Sequence, residues 1–547
     1  MRTVAVFLVI AGALQAQQPP RDLPGPPATG GIISGRVVVA DARPAVPIRR
    51  ARVSLTGGAL RAPEITDTDV EGNYQFGGLS AGSYRVTASK PGFVTLEAGA
   101  TRYGQRPAAI ELQGGQSAAA AVVLPRGAAI EGRIVDAGGE PVQNIIVSAS
   151  RFTYSAVGRR TVPLKQARTD DLGRYRIHSL PAGEFIVEAA PDARLEVSQG
   201  TMTGAARPPG RGHTFFPGTP QVHQARRIAL ATGQEVRGTD FALESVPLAR
   251  VAGRVIDSAG APAKTFGFRM VPVGSNTGVS GTLPGEGRFH IPSVPPGDYW
   301  LLASVLANPN AVGEFAAQRV TISGQDLPDV GVITAPGAVL EVQIEAAGGG
   351  ALPALQGARL DAVETEFELP PSRPPMPAAA PGADGRFTIK GLFGPRVLRL
   401  TGLPASWALT QVWLDDTEIT DTITDFRISN APRRLRMVIS DATGTVTGTV
   451  RSRAGAASAY EVILFPEAEK SRSATSRFVH RASPRADGTF IVTGLLPGRY
   501  IAAGVDYLDD GTWNDPEVLK RLAAGGTPLT VTAGGAETLT LNLQVLR

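Results

Sequence analysis

The side chains best suited to hydrolytic chemistry in this chain are its histidines. They are His178, His213, His223, His290 and His480. A zinc hydrolase holds its metal with His and Glu at helical spacing, together with a further ligand from elsewhere in the chain. No histidine here has a Glu three or four residues later, and there is no H-E-x-x-H run. We therefore predict no metal site, and we expect His178 and His290 to be solvent-facing strand residues.

Other catalytic arrangements also lack their signatures. The chain has no G-x-S-x-G elbow and no P-loop, and no Rossmann fingerprint opens a helix. It contains 0 cysteines, which excludes disulfides, thiolate metal ligands and Cys nucleophiles. A Ser/His/Asp triad assembled from separate domains stays open. We predict a non-enzyme, with no catalytic residue and no cofactor.

Two acidic clusters have side chains that calcium prefers. The first contains Asp415, Asp416, Glu418, Asp421 and Asp425, and the second contains Asp506, Asp509, Asp510 and Asp515. Calcium binding is one interpretation, but neither cluster has EF-hand spacing. The other interpretation, which we favour, is that these are turn and edge-strand carboxylates that discourage aggregation, plus one helix cap.

Aromatic side chains beside polar ones form the remaining candidate binding site. Trp513 lies next to Asp509, Asp510 and Asn514, a composition suited to stacking on a sugar ring and bonding its hydroxyls. Further aromatic residues fall in insertions of a repeated unit, namely Tyr154, Phe215 and Phe216. The alternative for Trp513 is packing of the last loop and helix onto the final unit. We predict ligand contacts at these seven positions.

The elements that must position these residues are repeated. The segment Asp69–Val86 has the pattern of a turn, a strand with alternating Tyr74 and Phe76, a second turn, and a second strand with Tyr84. The same motif returns at 170–187, 287–299 and 487–500. A fourth copy at 384–395 is degraded, because its second Gly comes one residue early. We interpret the motif as a hairpin that builds a core.

A second recurring phrase lies upstream of each motif. It contains Gly35, Gly132, Gly253 and Gly448, each followed by Arg or Thr and then Val or Ile, while Val342 takes the place of the Gly in the fourth unit. Together the two phrases resemble the carboxypeptidase regulatory-like domain, a family related to transthyretin-like and Cna-B-like sandwiches and to carbohydrate-binding-like folds. The resemblance implies an all-β chain, a tandem array of about five antiparallel sandwiches. It also implies two alternative functions, carbohydrate binding and an accessory role to a peptidase or cell-envelope system.

The repeat spacing divides the chain into a leader and five units. We predict a signal peptide at 1–16, a linker at 17–30, and sandwiches at 31–125, 126–245, 246–335, 336–440 and 441–547. The joins are short, so we expect an articulated rod. One helix is expected over Pro516 to Ala523, with Asp515 as its N-cap.

The predicted cellular location and the charge of the chain limit its binding partners. An apolar run from Val4 to Leu14 after Arg2 is typical of a cleaved signal peptide, and no later segment suits a transmembrane helix. The net charge is +5 and no basic run is interleaved with aromatics, so we expect no nucleic-acid partner. The sequence favours a secreted or periplasmic, non-catalytic binding or scaffolding protein whose partner is a cell-envelope protein or a glycan.

Overall fold

The structure is a computed structural model of the chain. It describes residues 30–40, 42–105, 107–190, 210–273, 278–305, 313–365, 381–426, 431–453, 455–457, 460–485, 487–509 and 511–545. The predicted signal peptide and Asp510 lie outside these residues. The described part is built of short strands in five successive groups, called units one to five, with a single α-helix near its end. The all-β prediction is confirmed.

Unit one is a sandwich of a small sheet, β4-β1-β8 with β9 also on β1, and a larger sheet, β3-β2-β5-β6 with β7 also on β5. Its strands are β1 Gly31–Val39, β2 Arg52–Gly57, β3 Glu64–Asp67, β4 Asn73–Leu79, β5 Gly82–Ser89, β6 Leu96–Glu97, β7 Ile110–Leu112, β8 Ser117–Ala119 and β9 Val122–Leu124.

Unit two repeats this plan with the sheets β13-β10-β18 and β12-β11-β14-β16. Its strands are β10 Ala128–Val135, β11 Ile146–Ser155, β12 Gly158–Arg168, β13 Arg174–Leu180, β14 Gly183–Ala190, β15 Gly210–Arg211, β16 Thr214–Phe215, β17 Arg227–Leu230, β18 Glu235–Val236, β19 Phe241–Ala242 and β20 Ser245–Val246. The insertion predicted around Tyr154 is the paired end of the β11–β12 hairpin.

Units three and four each pair a smaller and a larger sheet. Unit three has β21 Ala249–Ile256, β22 Thr265–Pro272, β23 Val279–Pro284, β24 Arg288–Val294, β25 Gly297–Val305, β26 Glu314–Ile322, β27 Leu327–Ile333 and β28 Ala335–Pro336. Unit four has β29 Ala338–Ala346, β30 Arg359–Glu364, β31 Arg386–Leu392, β32 Pro395–Thr401, β33 Ala408–Leu414, β34 Thr417–Glu418, β35 Thr424–Asp425 and β36 Arg433–Ser440.

Unit five joins its eight strands into one sheet, in the order β38-β37-β44-β42-β39-β40 with β41 also on β37 and β43 also on β42. They are β37 Gly444–Ser452, β38 Gly455–Ala456, β39 Glu461–Pro466, β40 His480–Ala482, β41 Thr489–Leu495, β42 Gly498–Val505, β43 Thr527–Val531 and β44 Ala536–Gln544. The helix α1, Pro516–Ala523, has the predicted bounds, and the Asp515 carboxylate accepts a hydrogen bond from the Glu517 N–H at 2.9 Å. None of the helices in the described ranges is long and apolar enough to span a bilayer.

The repeated motif connects the two sheets of a sandwich. In unit one, β4 pairs with β1 in the small sheet, whereas β5 pairs with β2 in the larger one. Units two and three divide their motif strands in the same way. The hairpin interpretation is therefore wrong. A strand has the same alternation of apolar residues whether the next strand pairs with it in one sheet or faces it across the core. The sequence pattern therefore could not distinguish a hairpin from a connection between two sheets.

The glycine of the upstream phrase is required by close packing. An ideal Cβ on Gly35 would lie 2.1 Å from the carbonyl oxygen of Ala120, and one on Gly132 would lie 2.2 Å from that of Thr239. This is where the last segment of each small sheet crosses β1 or its equivalent. In unit four the equivalent position is Val342, which is buried and lies opposite Leu435 of β36.

The tyrosines at the second aromatic position of the repeated motif pack in the cores, and their hydroxyls hydrogen-bond to the turns that precede them. The hydroxyl of Tyr84 donates to the carbonyl of Ser80 at 2.8 Å, and Tyr299 and Tyr500 make the same bond four residues back at 2.9 and 2.8 Å. The rings are buried, so each adds about 1.5–3 kcal/mol of hydrophobic stabilisation. In unit two the equivalent residue is Phe185, which has no hydroxyl.

Candidate functional site

Arg151 in unit two is the centre of a junction between units one, two and five. It contacts the turn before Phe185: its Nη2 donates to the Ala182 carbonyl at 2.7 Å, one residue after the carbonyl that the tyrosines of the other units bond, and its guanidinium lies 4.6 Å from the Phe185 ring centroid. Its Nη1 forms an ion pair with Asp509 of unit five at 2.5 Å. The Arg151 side chain is only 11% exposed, so this is a largely desolvated cation held between two units.

Unit one reaches the same junction through a surface segment. Arg102 forms an ion pair with Asp506 at 3.0 Å, and the Gln105 amide donates to the Asp506 carbonyl at 3.2 Å. The Arg151 guanidinium is 6.0 Å from the centroid of the Tyr103 ring, within cation–π range. One loop of unit five therefore contacts both the first and the second unit.

Tyr507 completes the junction from unit five. Its hydroxyl donates to the Asp509 carboxylate at 2.7 Å, and burial raises its pKa above the usual value, so the phenol stays protonated. The backbone of Gly104 packs against its ring, and an ideal Cβ there would lie 3.3 Å from the ring.

The end of the β11–β12 hairpin adds backbone contacts. The Tyr154 N–H donates to the Gly511 carbonyl at 2.8 Å, which binds the hairpin to the loop before α1. Burial and the nearby Asp515 carboxylate raise the pKa of Tyr154. This contact is a hydrogen bond between two units of the chain, and it fixes the register of the hairpin against unit five.

The structure brings together only some of the predicted ligand residues. Tyr154 and Asp509 meet at the junction, but each is engaged by another unit. Trp513 is half-buried and packs against the cluster around α1, the predicted alternative, and the Asn514 amide donates to the Ala474 carbonyl at 3.3 Å. Two further positions, Phe215 and Phe216, are buried in unit two, and Phe216 belongs to its core.

The rod expectation is wrong, because unit five folds back onto units one and two. Short joins restrict neighbouring units, but they do not determine where a unit three domains further on will dock. The sequence signal for Arg151 is the single Phe among the otherwise tyrosine second positions of the well-kept motifs, namely Tyr84, Phe185, Tyr299 and Tyr500. The Phe at this position indicates only that the turn lacks a tyrosine hydroxyl. It contains no information about Asp509.

We expect Arg151→Ala to release unit five from units one and two. The variant removes one member of a partly buried ion pair, which costs about 2–3 kcal/mol once the 39% exposure of Asp509 is allowed for. Arg499→Ala, which breaks an exposed pair with Glu467 in the same unit, should cost under about 1 kcal/mol. Small-angle scattering should give a larger radius of gyration for Arg151→Ala only. Equal radii for both variants would contradict the role of the junction.

Units four and five are joined by arginines around Asp421. Arg399 of unit four contacts that carboxylate at 2.9 Å and donates to the Thr475 carbonyl of unit five at 2.6 Å. Arg477 of unit five reaches the same carboxylate at 3.2 Å. In the same predicted acidic cluster, a hydrogen bond from Arg433 lowers the pKa of Asp415. Within the described ranges, no group of three or more His, Asp and Glu residues is arranged to hold a metal ion.

Phe393 joins units three and four. The shortened turn of the degraded motif places it between β31 and β32, and it is only 2% exposed. It packs with Trp300, Leu302 and Phe315 on the outer face of unit three, with 5.8 Å between the ring centroids of Phe315 and Phe393. The departure of the fourth copy from the repeat therefore coincides with an interface.

The histidines occupy unrelated places. His178 is exposed, as expected, but His290 is buried, because both faces of β24 are covered where it lies between Phe289 and Ile291. His213 contacts the carboxylate of Glu188 at 3.2 Å. Burial lowers the pKa of His480 to about 4, so that side chain is neutral at physiological pH.

Comparison with known proteins identifies the first unit. Residues 32–125 match the family model described as carboxypeptidase regulatory-like domain, which confirms the predicted resemblance for that part of the chain. No curated protein matches the chain.

Solved structures to which the chain shows similarity include three bacterial proteins. They are the Bacillus anthracis TIE protein (14% identity, 56% of this chain and 51% of that one, TM-score 0.16), a streptococcal ancillary pilin (13%, 56% and 99%, 0.20) and BcpA, the major pilin subunit of Bacillus cereus (12%, 56% and 99%, 0.14). This chain thus spans about half the length of the TIE protein. Similarity at this level supports no inference about function.

Proposed function

We propose that this chain is a non-catalytic binding or scaffolding protein that works outside the cytoplasm and holds its five units in one fixed arrangement. The observation that carries the proposal is the junction around Arg151, which ties unit five to units one and two through Asp509 and Asp506. A scaffold needs constant spacing between separate surfaces, and interdomain contacts of this kind supply it. The location outside the cytoplasm rests on the apolar segment from Val4 to Leu14.

The charged side chains at the junctions support a structural use. Asp421, Asp506 and Asp509 each neutralise an arginine of another unit, so these carboxylates stabilise interfaces. Glycan binding through Trp513 gains less support, because its ring packs beside α1. An accessory role to a peptidase rests on the family resemblance alone.

The test compares capture of cell-envelope components by immobilised wild-type chain and by the Arg151→Ala and Arg499→Ala variants. We expect one saturable partner that Arg151→Ala retains at least tenfold less well, whereas Arg499→Ala retains it normally, because only the first variant changes the spacing of the units. Equal retention by both variants would contradict the fixed-arrangement proposal. Peptide or glycoside hydrolysis by the purified chain that a chelator abolishes would contradict the non-catalytic one.

A further inference from the structure

An arginine-rich cleft on unit two is separate from the junction. It has a volume of about 610 Å³ and lies along the outer face of the sheet formed by β10, β13 and β18, beside the end of β12. Five arginines line it, and three carboxylates lie between them: Arg133, Arg168, Arg174, Arg176 and Arg237, with Glu131, Asp170 and Asp240. At the equivalent positions of the small sheet, unit one has Ser34, Arg36, Asn73 and Gln75, and unit five has mostly threonines. Unit three also places Arg254 opposite Arg288, and unit four has Arg386, Arg434 and Arg436 on the corresponding strands, so the five arginines of unit two are the largest such group among the described units.

The arginines of the cleft are close together because of strand register. Arg133 on β10 lies directly opposite Arg174 on β13, an arrangement of like charges that destabilises a sheet unless counter-charges relieve it. Arg174 has such a counter-charge in Asp170 at 3.1 Å. Arg133 donates from Nε to the Leu172 carbonyl at 2.9 Å, and no described carboxylate lies within ion-pair distance of its guanidinium. The Arg133 guanidinium is therefore exposed in the cleft without a direct ion pair, beside Asp240, whose carboxylate accepts a hydrogen bond from the Arg133 N–H at 2.7 Å.

The other ion pairs in the cleft are weak enough to exchange partners. Arg176 pairs with Glu131 at 2.6 Å and with Glu235 at 2.7 Å, and Arg237, whose side chain is 74% exposed, pairs with Glu235 at 3.1 Å. Exposed pairs of this kind contribute about 0–1 kcal/mol each and are screened by salt. A ligand with its own oxyanions can therefore replace them at little cost.

The mixture of charges decides between ligand classes. Forked guanidinium groups match carboxylates in two-point contacts, and the interspersed carboxylates accept hydrogen bonds from hydroxyls. A pure polyanion would be repelled by Asp170 and Asp240. The one aromatic lining residue, Tyr175, is buried with its hydroxyl donating to the Thr239 carbonyl at 2.8 Å, so the cleft has no surface on which a nucleic-acid base could stack. A ligand that carries both hydroxyl and carboxylate groups matches this lining.

The position on a sheet face argues against a peptide. Peptides bind sheets by hydrogen bonds along an open edge, with pockets for alternate side chains. Here β10 is the central strand, paired on both sides, so its backbone groups are already bonded. We propose that the cleft binds an acidic polysaccharide, a chain of sugars with carboxylate groups, laid across the outer face of unit two.

The experiment uses the full chain and isothermal titration with oligogalacturonate at low salt. We expect saturable binding that weakens as salt rises, that Arg133→Gln reduces at least tenfold, and that neutral dextran oligomers fail to reproduce. Arg36→Gln is the matched control, because Arg36 occupies the same motif position in unit one and makes the same bond from Nε to a turn carbonyl, that of Glu71. It should bind like the wild type.

Three outcomes would overturn the proposal. They are no binding of oligogalacturonate at low salt, equal weakening by Arg133→Gln and Arg36→Gln, and equal or tighter binding of polyglutamate or polyphosphate, which would assign the cleft to charge alone. Circular dichroism of the two variants should match the wild type, because both residues are exposed. Since Arg151 takes no part in the cleft, Arg151→Ala should bind oligogalacturonate normally. The scaffold proposal and this one can therefore fail separately.

Discussion

Gly35→Ala is expected to destabilise the small sheet of unit one while the other units keep their stability. The new Cβ would lie 2.1 Å from the Ala120 carbonyl oxygen and 2.8 Å from the Tyr74 hydroxyl, and the backbone atom cannot rotate away as a side chain could. Relief requires the β8–β9 segment to move off β1, which also removes the hydrogen bond from Tyr74 to Ala120. We expect a loss of about 3 kcal/mol or more.

Amide hydrogen exchange of the full chain measures this effect locally. Exchange in β1, β4 and β8 should accelerate roughly a hundredfold or more, since about 1.4 kcal/mol corresponds to a factor of ten. Gly77→Ala is the matched control in the same unit, because nothing lies within 4 Å of its ideal Cβ. It should leave exchange within a fewfold of the wild type. If Gly35→Ala exchanged no faster than Gly77→Ala, the close crossing of the last segment over β1 would be wrong.

Phe393→Ala is expected to uncouple units three and four. The ring is nearly fully buried, and truncating such a phenylalanine costs about 3–5 kcal/mol through lost apolar contact and the cavity that remains. The cavity would lie between the units, against Trp300 and Phe315, so the loss should affect their contact more than either core. Calorimetry should resolve two transitions where the wild type gives one for this pair.

Ile423→Ala controls for a general loss of stability in unit four. Its side chain is 60% exposed, so its truncation should cost about 0.5 kcal/mol or less. A single unshifted transition in Phe393→Ala, like that expected for Ile423→Ala, would mean that the Phe393 contact does not couple the units.

Local chemistry in the sequence predicts the elements well. Asp515 followed by Pro516 specifies a capped helix start, and the structure places the helix there. Alternation at Tyr74 and Phe76 identifies inward faces, and both residues are buried. The sheet partner of each strand was harder to predict. Periodicity assigns a residue to one face of its strand, but it does not say whether the next strand lies beside that strand in the same sheet or faces it across the core.

The partners in contacts between distant units could not be predicted from the sequence. Asp509 and Trp513 have the composition of a sugar site when taken alone, but the nearby Arg151 is 358 positions away in sequence from Asp509. Nothing local to either residue encodes that pairing. The sequence around Phe393 likewise does not encode its partner. It shows only a degraded copy of the repeat, and the structure reveals the contact with Trp300. In a repeat protein, departures from the repeat are therefore the best sequence markers of such contacts.

Arginine accounts for most of these junctions. A guanidinium can bond a carboxylate, a carbonyl and an aromatic face at once, as Arg151 does with Asp509, Ala182 and Phe185. Arg399 similarly combines Asp421 with the Thr475 carbonyl. Lysine has no planar fork and could not satisfy such sites, so we expect Arg-to-Lys changes there to behave as losses.

The docking of unit five onto units one and two is tested most directly by one distance measurement. The chain has 0 cysteines, so spin labels can be placed on Ala108→Cys in unit one and Lys520→Cys in unit five without other changes. Double electron–electron resonance should give one narrow distance distribution, which Arg151→Ala broadens and shifts to longer distances. A broad distribution in the wild type that Arg151→Ala leaves unchanged would contradict the junction and restore the articulated rod.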